Sequence, residues 1–396
     1  MGLQPSDGTA NWVASTRVRV KVVGAGIAGL ATAHLLARLG HDVEILDSAA
    51  SAPEEGTALA LQPNGLAVLE ALGVAGELDA ASSRMRQLRV FDGLGRAITT
   101  TVVPDFGPGL DHVLVAPRAD VVRVLAAAGP VSVRWGADVG HAGPGLLDVQ
   151  EGHDRSTVTA DLIVGADGAS STVRRCFDLG VRRRGGRRYL RMMLERPLAH
   201  ARAGEYWTRS GLAGMLPCGP ARTYAYATAT QEIVDAHASG ADVAEAIGRA
   251  HPILAALLPR SLPSDRVLVN DVSTVDCRSF VGPGVVLVGD AAHAMAPNLG
   301  QGANSGLLDA AILTLELAQG DDLGSALERY DAQRQAVRRV QRDAERLARA
   351  AHSRGPREAR NALARALGRL PVAGVLRRAQ QCEPDELRAR LSAALG

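Results

Sequence analysis

The chain of 396 residues is longer than one hydrophobic core usually spans, so its length predicts two domains. Its net charge is +2 and no stretch approaches the roughly 20 apolar residues of a membrane helix, so we expect neither a nucleic-acid nor a membrane partner. Four scattered cysteines form no C-x-x-C pair or metal-ligand spacing, so no metal site is predicted and a reducing cytoplasm is favoured.

The first predicted elements are a strand, a glycine turn, a helix and a second strand over residues 18–47. Gly24, Gly26 and Gly29 fill the G-x-G-x-x-G dinucleotide fingerprint, which provides a tight turn, close approach to a pyrophosphate and close helix packing. Asp47 ends the second strand, at the position where a carboxylate accepts hydrogen bonds from the ribose hydroxyls of a dinucleotide. The predicted binding residues of this unit are Gly24, Ala25, Gly26, Ile27, Ala28, Gly29 and Asp47.

The middle of the chain predicts a second sheet. Residues 48–64 are expected to form a loop, and residues 86–103 a hairpin that leaves the nucleotide domain. Residues 113–118 return as a strand ending at Arg118, and residues 131–139 are expected to form a strand pair. Residues 187–230 alternate as strands, although a period of two cannot say which face points inward. Residues 242–258 are predicted to be helical.

Two further strands end in aspartate ahead of a helix. Residues 161–174 contain Asp167-Gly168, where the aspartate is expected to lie near a ligand and a turn or helix-capping role is the alternative. Residues 284–310 contain an apolar run that ends at Gly289-Asp290 and passes through Pro297 into a glycine-rich helix start. Open α/β sheets bind ligands at the carboxyl ends of their strands, and a helix start favours negative charge. We therefore expect Asp290 and the following helix start to contact one ligand.

These three motifs, in this order, resemble the FAD-dependent aromatic hydroxylases, the group A flavoprotein monooxygenases that share the para-hydroxybenzoate hydroxylase fold. The resemblance covers roughly residues 18–330. It implies an α/β fold, with an FAD-binding Rossmann-like domain of the glutathione-reductase type, an inserted mostly antiparallel β-sheet substrate domain and C-terminal helices. The expected ranges are 17–75, 104–180 and 265–330 for the FAD-binding domain, 76–103 and 181–264 for the substrate domain, and 331–396 for the helices.

The resemblance also assigns expected roles to residues. Arg118 matches an arginine that contacts FAD in related proteins, and the backbone of Val139 matches a position that contacts adenine. Asp290 is expected to bind the ribitol hydroxyls of FAD. Asp167 is expected to lie near the pyrophosphate or along the path of the nicotinamide dinucleotide. Backbone N–H groups at the helix start would stabilise the reduced flavin, and Pro297 would border the face that reacts with oxygen. The predicted catalytic residues are Pro297, Gly300, Gln301 and Gly302, and these four, with Ala303 and Asn304, are also predicted to bind FAD. The substrate candidates are Arg191, Met193, Tyr206, Met215, Tyr224 and Tyr226.

Two details qualify the resemblance. Related proteins commonly have an arginine directly after the acidic residue of the second strand, whereas Ser48 follows Asp47 here and no arginine occurs before Arg84. His293 follows Asp290 by three residues, but a structural histidine is the simpler interpretation than a general base.

The implied function is an FAD-dependent monooxygenase that consumes NADPH or NADH and inserts one oxygen atom from O2, by hydroxylation or epoxidation, through a flavin C4a-hydroperoxide. The expected substrate is a small aromatic, polyketide or other specialised metabolite, and the expected protein is a cytoplasmic monomer or homodimer. One alternative is a reductase or dehydrogenase of the same fold acting on prenyl or quinone substrates. Another is a non-catalytic flavoprotein. Halogenation is disfavoured because the sequence lacks the W-x-W-x-I-P motif.

Overall fold

The computed structural model describes residues 17–53, 57–352 and 373–396. The strands are β1 Arg19–Val23, β2 Asp42–Asp47, β3 Ala58–Leu61, β4 Ser83–Met85, β5 Gln87–Asp92, β6 Ala97–Val102, β7 Val113–Pro117, β8 Val133–Trp135, β9 Asp138–Gly143, β10 Leu146–Glu151, β11 Asp154–Thr159, β12 Leu162–Gly165, β13 Gly180–Leu194, β14 Gly204–Thr208, β15 Gly211–Cys218, β16 Arg222–Thr228, β17 Leu268–Cys277, β18 Val281–Gly282 and β19 Val285–Leu287.

The helices lie between and after these strands. They are α1 Ile27–Arg38, α2 Pro63–Ala71, α3 Arg118–Ala126, α4 Thr172–Cys176, α5 Gln231–Ala238, α6 Ala244–Ala250, α7 Pro252–Ala255, α8 Asp290–His293, α9 Gly302–Leu317, α10 Leu323–Arg334, α11 Val337–Ala351, α12 Ala373–Ala379 and α13 Pro384–Leu395. Part of the expected C-terminal helical region, residues 353–372, lies outside the described residues. Among the described helices, none combines the length and the apolar composition of a membrane span.

A six-stranded sheet forms the centre of the α/β part of the fold. Its order is β18-β19-β12-β1-β2-β8, and all neighbours pair in parallel except the edge strand β18. Strands β12 and β19 are buried along their whole length, as their apolar sequences require in a sheet covered on both faces. Because the strands run in parallel, the carboxyl ends of β1, β2, β12 and β19 lie along one edge.

A second sheet of seven strands is mostly antiparallel. Its order is β17-β13-β16-β15-β14-β5-β6, with only the β14–β5 pair parallel. One face packs against α5, α6 and α7 through residues such as Leu190 and Met192. The other face packs against α11 and the segment before α9, through Tyr189, Trp207 and Ala296. We call residues 294–301, between α8 and α9, the late loop. The second sheet therefore covers the late loop with one face only.

The α/β architecture and the second sheet agree with the expected fold, while several local predictions differ. The expected loop 48–64 contains β3, a short strand that forms by pairing with the distant strand β7. The expected helix 242–258 is divided into α6 and α7, because Pro252 has no N–H and restrains His251 before it. The expected strand pair 131–139 separates, since β8 joins β2 and β9 joins β10.

One expected domain range includes a strand of the other sheet. Residues 265–330 were assigned to the FAD-binding domain, yet β17 pairs with β13 along the edge of the seven-stranded sheet. The strand then leads directly to β18 and β19 of the six-stranded sheet. A strand that starts in one sheet and feeds the next cannot be divided by a single boundary residue.

Candidate functional site

The turn between β1 and α1 shows why its glycines are needed. Gly24 has a φ of +107°, and a Cβ there would lie 2.5 Å from the Ala166 carbonyl oxygen. A Cβ on Gly29 would lie 1.9 Å from the Gly24 carbonyl oxygen, so only glycine allows this helix to start so close to the turn. Gly26 is different, because a Cβ there meets no atom within 4 Å. Its open side faces a cleft that a ligand can approach closely.

The cleft lies at the carboxyl edge of the parallel sheet and has a volume of about 240 Å³. The predicted residues Gly24, Gly26, Asp47, Val139 and Asp167 all line it. The backbone N–H of Ala25 donates to Asp47 Oδ2 over 2.6 Å, which fixes this carboxylate beside the glycine turn. The structure therefore brings together residues that are far apart in the sequence.

Asp167 combines its two predicted interpretations. Its Oδ2 accepts hydrogen bonds from the backbone N–H groups of Thr172 and Val173, at 2.6 and 3.1 Å, and so holds the start of α4. Its Oδ1 is buried and has no hydrogen-bond partner among the described residues. A buried carboxylate oxygen normally has a partner, so this atom fits a donor on a ligand in the cleft. Polar, glycine-lined and open, the cleft fits the phosphate and ribose of a dinucleotide.

Asp290 begins α8 after β19, and we call the space between Asp290 and the start of α9 at Gly302 the recess. Gly289, with a φ of +60°, turns the chain out of β19 so that Asp290 is exposed within the recess. Although the Asp290 side chain reaches solvent, the protein atoms around its carboxyl displace water and raise its pKa, while His293, Arg118 and Arg191 act in the opposite direction. The positive charges of Arg118 and Arg191 are therefore close to Asp290.

A buried network of charged residues stabilises the turn at Gly289 that precedes Asp290. Asp309 of α9 accepts hydrogen bonds from the backbone N–H of Gly289 at 2.6 Å and from Arg334 Nε at 2.5 Å. His293 Nε2 lies 2.6 Å from Asp309 Oδ2. Burial alone would raise the pKa of Asp309, but its neighbours His293 and Arg334 and these hydrogen bonds keep the pKa below its ordinary value. His293 thus has a structural partner, in keeping with its simpler interpretation.

The late loop presents backbone groups rather than reactive side chains. Pro297 starts a short 3₁₀ turn, and Gly300 follows in the left-handed conformation, with a φ of +61°. Helix α9 then begins at Gly302 without a side-chain cap and with no acidic residue in its first turn. A Cβ on Gly302 would lie 3.9 Å from Asp290 Oδ1, so the helix start and Asp290 border the same recess. The first N–H groups of α9 are thus available to a partly negative ligand atom.

The side chains of the loop point into a buried amide network. Gln301 Nε2 donates to Gln62 Oε1 at 2.7 Å, and Gln380 Nε2 donates to the same oxygen at 3.0 Å. Asn304 Oδ1 accepts from the Gln62 backbone N–H, and its Nδ2 donates to the Gly300 carbonyl. The predicted residues Gln301 and Asn304 therefore shape the loop with their side chains, which leaves only their backbone groups for a ligand. The segment after α12 contributes Gln380 to this support.

The six substrate candidates do not share one face of the seven-stranded sheet. Arg191 lies opposite Tyr226, and Met193 opposite Tyr224, so these four side chains share a face. Two others alternate to the opposite face and pack toward α5, α6 and α7, namely Tyr206 and Met215. All six cannot line one pocket, because period-two spacing alone does not identify the inward face.

Buried polar atoms mark the place where this sheet meets the late loop. The Tyr189 hydroxyl and both polar atoms of the Asn298 amide are buried, and none of them forms a hydrogen bond of regular geometry with a described residue, although the Asn298 amide is near enough to Tyr189 to oppose the rise of its pKa. Burial raises the pKa of Tyr189 to about 12, so its hydroxyl remains a donor at physiological pH. This adjacent pair of incompletely satisfied polar groups fits a polar ligand held between the sheet and the loop.

Arg118, whose charge acts on Asp290, provides a test of the expected FAD site, although it does not line the cleft itself. The side chain is exposed, and it has no hydrogen bond or ion pair with any other described residue. We expect Arg118→Ala to leave the urea midpoint unchanged but to weaken FAD binding about tenfold, the cost of one charge-assisted hydrogen bond. Flavin fluorescence titration of the apoprotein measures this affinity.

Arg123 is the matched control for Arg118. It lies on the same helix and pairs with Asp120 at 3.2 Å. Arg123→Ala should leave FAD affinity unchanged. Equal loss of affinity in the two variants would show a general charge effect and contradict a specific role for Arg118.

Several residues of the site were not predicted. Asp309 and Arg334 lie in helices and were missed, although a lone aspartate within the apolar stretch 303–317 was a usable signal. Gln62 and Gln380 had no signal, because their partners are distant in the chain. Arg84 is the first arginine after Asp47, but it does not replace the arginine that related proteins place near the flavin, because it forms an ion pair with Asp79 at 2.8 Å. Ser48, at the expected arginine position, lines the cleft instead.

Comparison with known proteins gives consistent matches. A family model described as an FAD binding domain matches residues 17–344. The chain is 30% identical over 308 residues to 2-heptyl-3-hydroxy-4(1H)-quinolone synthase of Pseudomonas aeruginosa, covering 74% of this chain and 79% of that protein. It is 31% identical over 318 residues to 3-amino-4-hydroxybenzoate 2-monooxygenase of Streptomyces cremeus, covering 75% and 77%. The structure of 2-methyl-3-hydroxypyridine-5-carboxylic acid oxygenase superimposes with a TM-score of 0.74 at 25% identity, covering 94% of this chain and 98% of that one.

Proposed function

This chain belongs to the FAD-binding-domain family and is an FAD-dependent monooxygenase, and on that premise we propose that it oxygenates an aromatic metabolite that carries a ring N–H or an acidic hydroxyl. Names of two relatives support this class, since one forms a 4(1H)-quinolone and the other acts on an aminohydroxybenzoate. Reductase chemistry on prenyl or quinone substrates and a non-catalytic role are disfavoured, because the relatives insert oxygen.

We infer that the cleft holds the adenosine and pyrophosphate of FAD. Gly26 lets the pyrophosphate approach the start of α1, and Asp47 accepts the ribose hydroxyls. The buried, unpartnered Asp167 Oδ1 accepts from a hydroxyl of the cofactor or of water beside it. Arg118 and Asp290 flank the continuation toward the flavin ring.

When bound, FAD supplies the redox chemistry, taking electrons from NADPH or NADH and delivering one oxygen atom of O2 to the substrate. The residues of this chain supply position and charge. The first N–H groups of α9, at Gly302 and Ala303, stabilise negative charge next to the late loop. Pro297 and Gly300 shape the loop, and the amide network of Gln301 and Gln62 keeps it rigid. The site thus needs no nucleophilic side chain.

The substrate is proposed to lie between the late loop and one face of the seven-stranded sheet. The observation that carries this proposal is the row of Arg191, Met193, Tyr224 and Tyr226 on the face that covers the loop. It combines a cation, two hydroxyls and a flexible thioether, which suits a ring with polar substituents. The charge of Arg191 acts on the Asp290 carboxyl, which supports a substrate position next to the proposed flavin site.

The proposed positions of FAD and substrate also define two domains. We infer that residues 17–75, 104–180 and 265–330 hold FAD, with β17 excluded, and that residues 76–103 and 181–264 hold the substrate with β17. We further propose a monomer or homodimer in the cytoplasm.

The proposed function is tested by substrate-dependent coupling. Purified protein reconstituted with FAD is mixed with NADPH or NADH, and with 2-heptyl-4(1H)-quinolone or 3-amino-4-hydroxybenzoate as probes. We expect one probe to stimulate both NAD(P)H oxidation and oxygen uptake, and to gain one oxygen atom by mass spectrometry. Oxidation that neither probe stimulates, with all oxygen recovered as peroxide, would contradict the proposed substrate class.

A further inference from the structure

Glu205 of β14 is an acidic side chain that the assignments above leave unused. It lies opposite Gly214, and Gly214 lies opposite Tyr226, which in turn lies opposite Arg191. Residues directly opposite each other on neighbouring strands share a face of the sheet. Glu205 therefore belongs to the row that faces the proposed substrate, three strands away from Arg191.

The row is compact because Gly214 has no side chain. A Cβ on Gly214 would lie 2.0 Å from Tyr226 Cζ and 2.4 Å from its hydroxyl oxygen, so the tyrosine ring lies across the glycine. This directs Tyr226 toward β14, and the charge of Glu205 contributes to raising the pKa of Tyr226, after the larger effect of burial. The carboxyl and the hydroxyl are thus close neighbours on the substrate face.

Glu205 is partly buried without a counter-ion. Trp207 Nε1 donates to Glu205 Oε1 over 2.8 Å, and no described cation forms an ion pair with the carboxyl. Burial raises the pKa of Glu205 to about 7, and the Trp207 hydrogen bond acts in the opposite direction. A partly buried carboxyl with one hydrogen bond and no described cation beside it is costly for the fold, which favours a functional role.

We propose that Glu205 accepts a hydrogen bond, and during oxygenation a proton, from the ring N–H or acidic hydroxyl of the substrate. As the ring carbon donates electrons to the incoming oxygen, positive charge develops on the ring and makes this N–H or O–H group acidic. Its bond to hydrogen breaks, the electron pair stays on the substrate, and the proton forms a new O–H bond on the Glu205 carboxylate. The inference rests on the proposed function and adds a specificity-determining and catalytic residue to it.

Three neighbouring ionisable groups keep the same protonation state near neutral pH. Burial raises the pKa of Tyr189 to about 12 and that of Tyr226 well above its ordinary value, so both stay neutral. Asp92 on β5, opposite Trp207, has a lowered pKa, because its hydrogen bonds to Arg96 and Leu94 outweigh the effect of burial. Asp92 therefore stays ionised.

His352, which follows α11, contacts Tyr189 edge-on and its Nε2 lies 2.9 Å from Thr228 Oγ1. Histidine has an ordinary pKa near neutrality, so His352 is a further group on this side that could titrate in the same range. Arg191, the Asp290 carboxyl close to it and, beyond them, the Arg187–Glu345 ion pair are further charged groups on this side among the described residues. A variant of His352 is therefore needed as a control.

The test compares two probes, 2-heptyl-4(1H)-quinolone and its N-methyl derivative, whose binding is followed by the flavin absorbance of the FAD-loaded protein. Glu205→Gln keeps an acceptor for Trp207 but cannot take a proton. We expect it to bind the N–H probe about tenfold more weakly than the wild type does at about pH 8.5, and the N-methyl probe equally well. In the wild type, the preference for the N–H probe should decline below about pH 7 as Glu205 becomes protonated.

Two variants separate this role from a structural one. Trp207→Phe removes the hydrogen bond that stabilises the carboxylate, so the pH at which the preference declines should move upward. His352→Gln should leave that pH unchanged. An N–H preference that is the same in the wild type and in Glu205→Gln would overturn the proposal.

Failure of the substrate class is distinguishable from failure of the Glu205 assignment. If neither probe binds, the quinolone substrate is wrong, and the ligand-free flavin spectrum decides on Glu205. A spectral transition near pH 7 that is present in the wild type and absent in Glu205→Gln supports the assignment. A spectrum with the same pH dependence in both proteins overturns it.

Discussion

Replacing Asp309 by alanine should lower the free energy of unfolding by about 3–5 kcal/mol, because Arg334 would remain as a buried charge without its partner. Both side chains are almost fully buried, with 0% and 1% exposed. The variant also frees the Gly289 N–H and His293, which together hold the turn before Asp290. We therefore expect loss of FAD along with loss of stability, measured by urea unfolding and by flavin content per protein.

Two comparisons decide whether the charge network is the cause. The double variant Asp309→Ala, Arg334→Met leaves no unpaired buried charge, so it should be more stable than Asp309→Ala alone. Glu232→Ala breaks an exposed ion pair with Arg249 and should cost less than about 1 kcal/mol. A double variant no more stable than the single one would contradict the electrostatic explanation.

The contribution of Asp309 should also depend on pH. Its pKa is depressed in the folded state, so its stabilisation is fully present above the ordinary aspartate pKa and is lost as the pH falls through the depressed value. The difference in stability between the wild type and Asp309→Ala should therefore be largest near neutral pH and shrink in acid.

Replacing Gly26 by valine should weaken FAD binding strongly while leaving the fold intact. The residue has a φ of −75° and ψ of 179°, which valine adopts readily, and its Cβ would meet no protein atom within 4 Å. The valine side chain would instead occupy the cleft where the pyrophosphate approaches the start of α1. We expect FAD affinity to fall at least about 100-fold, or about 3 kcal/mol, with an unchanged urea midpoint.

Gly76 provides the matched control for Gly26, because a Cβ there also meets no atom within 4 Å and the residue lies away from the cleft. Gly76→Val should bind FAD normally. Gly24→Ala should differ from both, since its Cβ would lie 2.5 Å from a backbone carbonyl oxygen and would disturb the fold itself. Normal FAD binding by Gly26→Val would place the pyrophosphate elsewhere.

The parts of the fold that were predictable depend on local sequence. The glycine fingerprint, the strand ends at Asp47 and Asp167, and the Gly289-Asp290 turn each combine a short apolar run with a turn residue, and all come to one edge of the sheet. Parallel strands require this arrangement, because their carboxyl ends share an edge. Sequence reasoning could therefore place the cleft before its geometry was known.

The parts that were missed depend on contacts between distant residues. Strand β3 exists through its pairing with β7, and the amide network joins Gln62 to residues about 240 and 320 positions away. The sequence could not identify the inward face of the substrate sheet either, because the alternating pattern places a tyrosine on each face, Tyr224 on one and Tyr206 on the other. Only the register, which aligns Glu205 with Tyr226 and Arg191, identifies the face that meets the late loop.

The most direct test of the account follows the oxygen atom. FAD-loaded protein is reduced without air by NADPH or NADH in the presence of 2-heptyl-4(1H)-quinolone or 3-amino-4-hydroxybenzoate, and isotopically labelled dioxygen is then admitted. We predict a flavin spectrum that bleaches and returns, and an organic product that carries one labelled oxygen atom. A protein that binds no FAD, or one whose labelled oxygen is recovered entirely as peroxide and water with both probes unchanged, would contradict it.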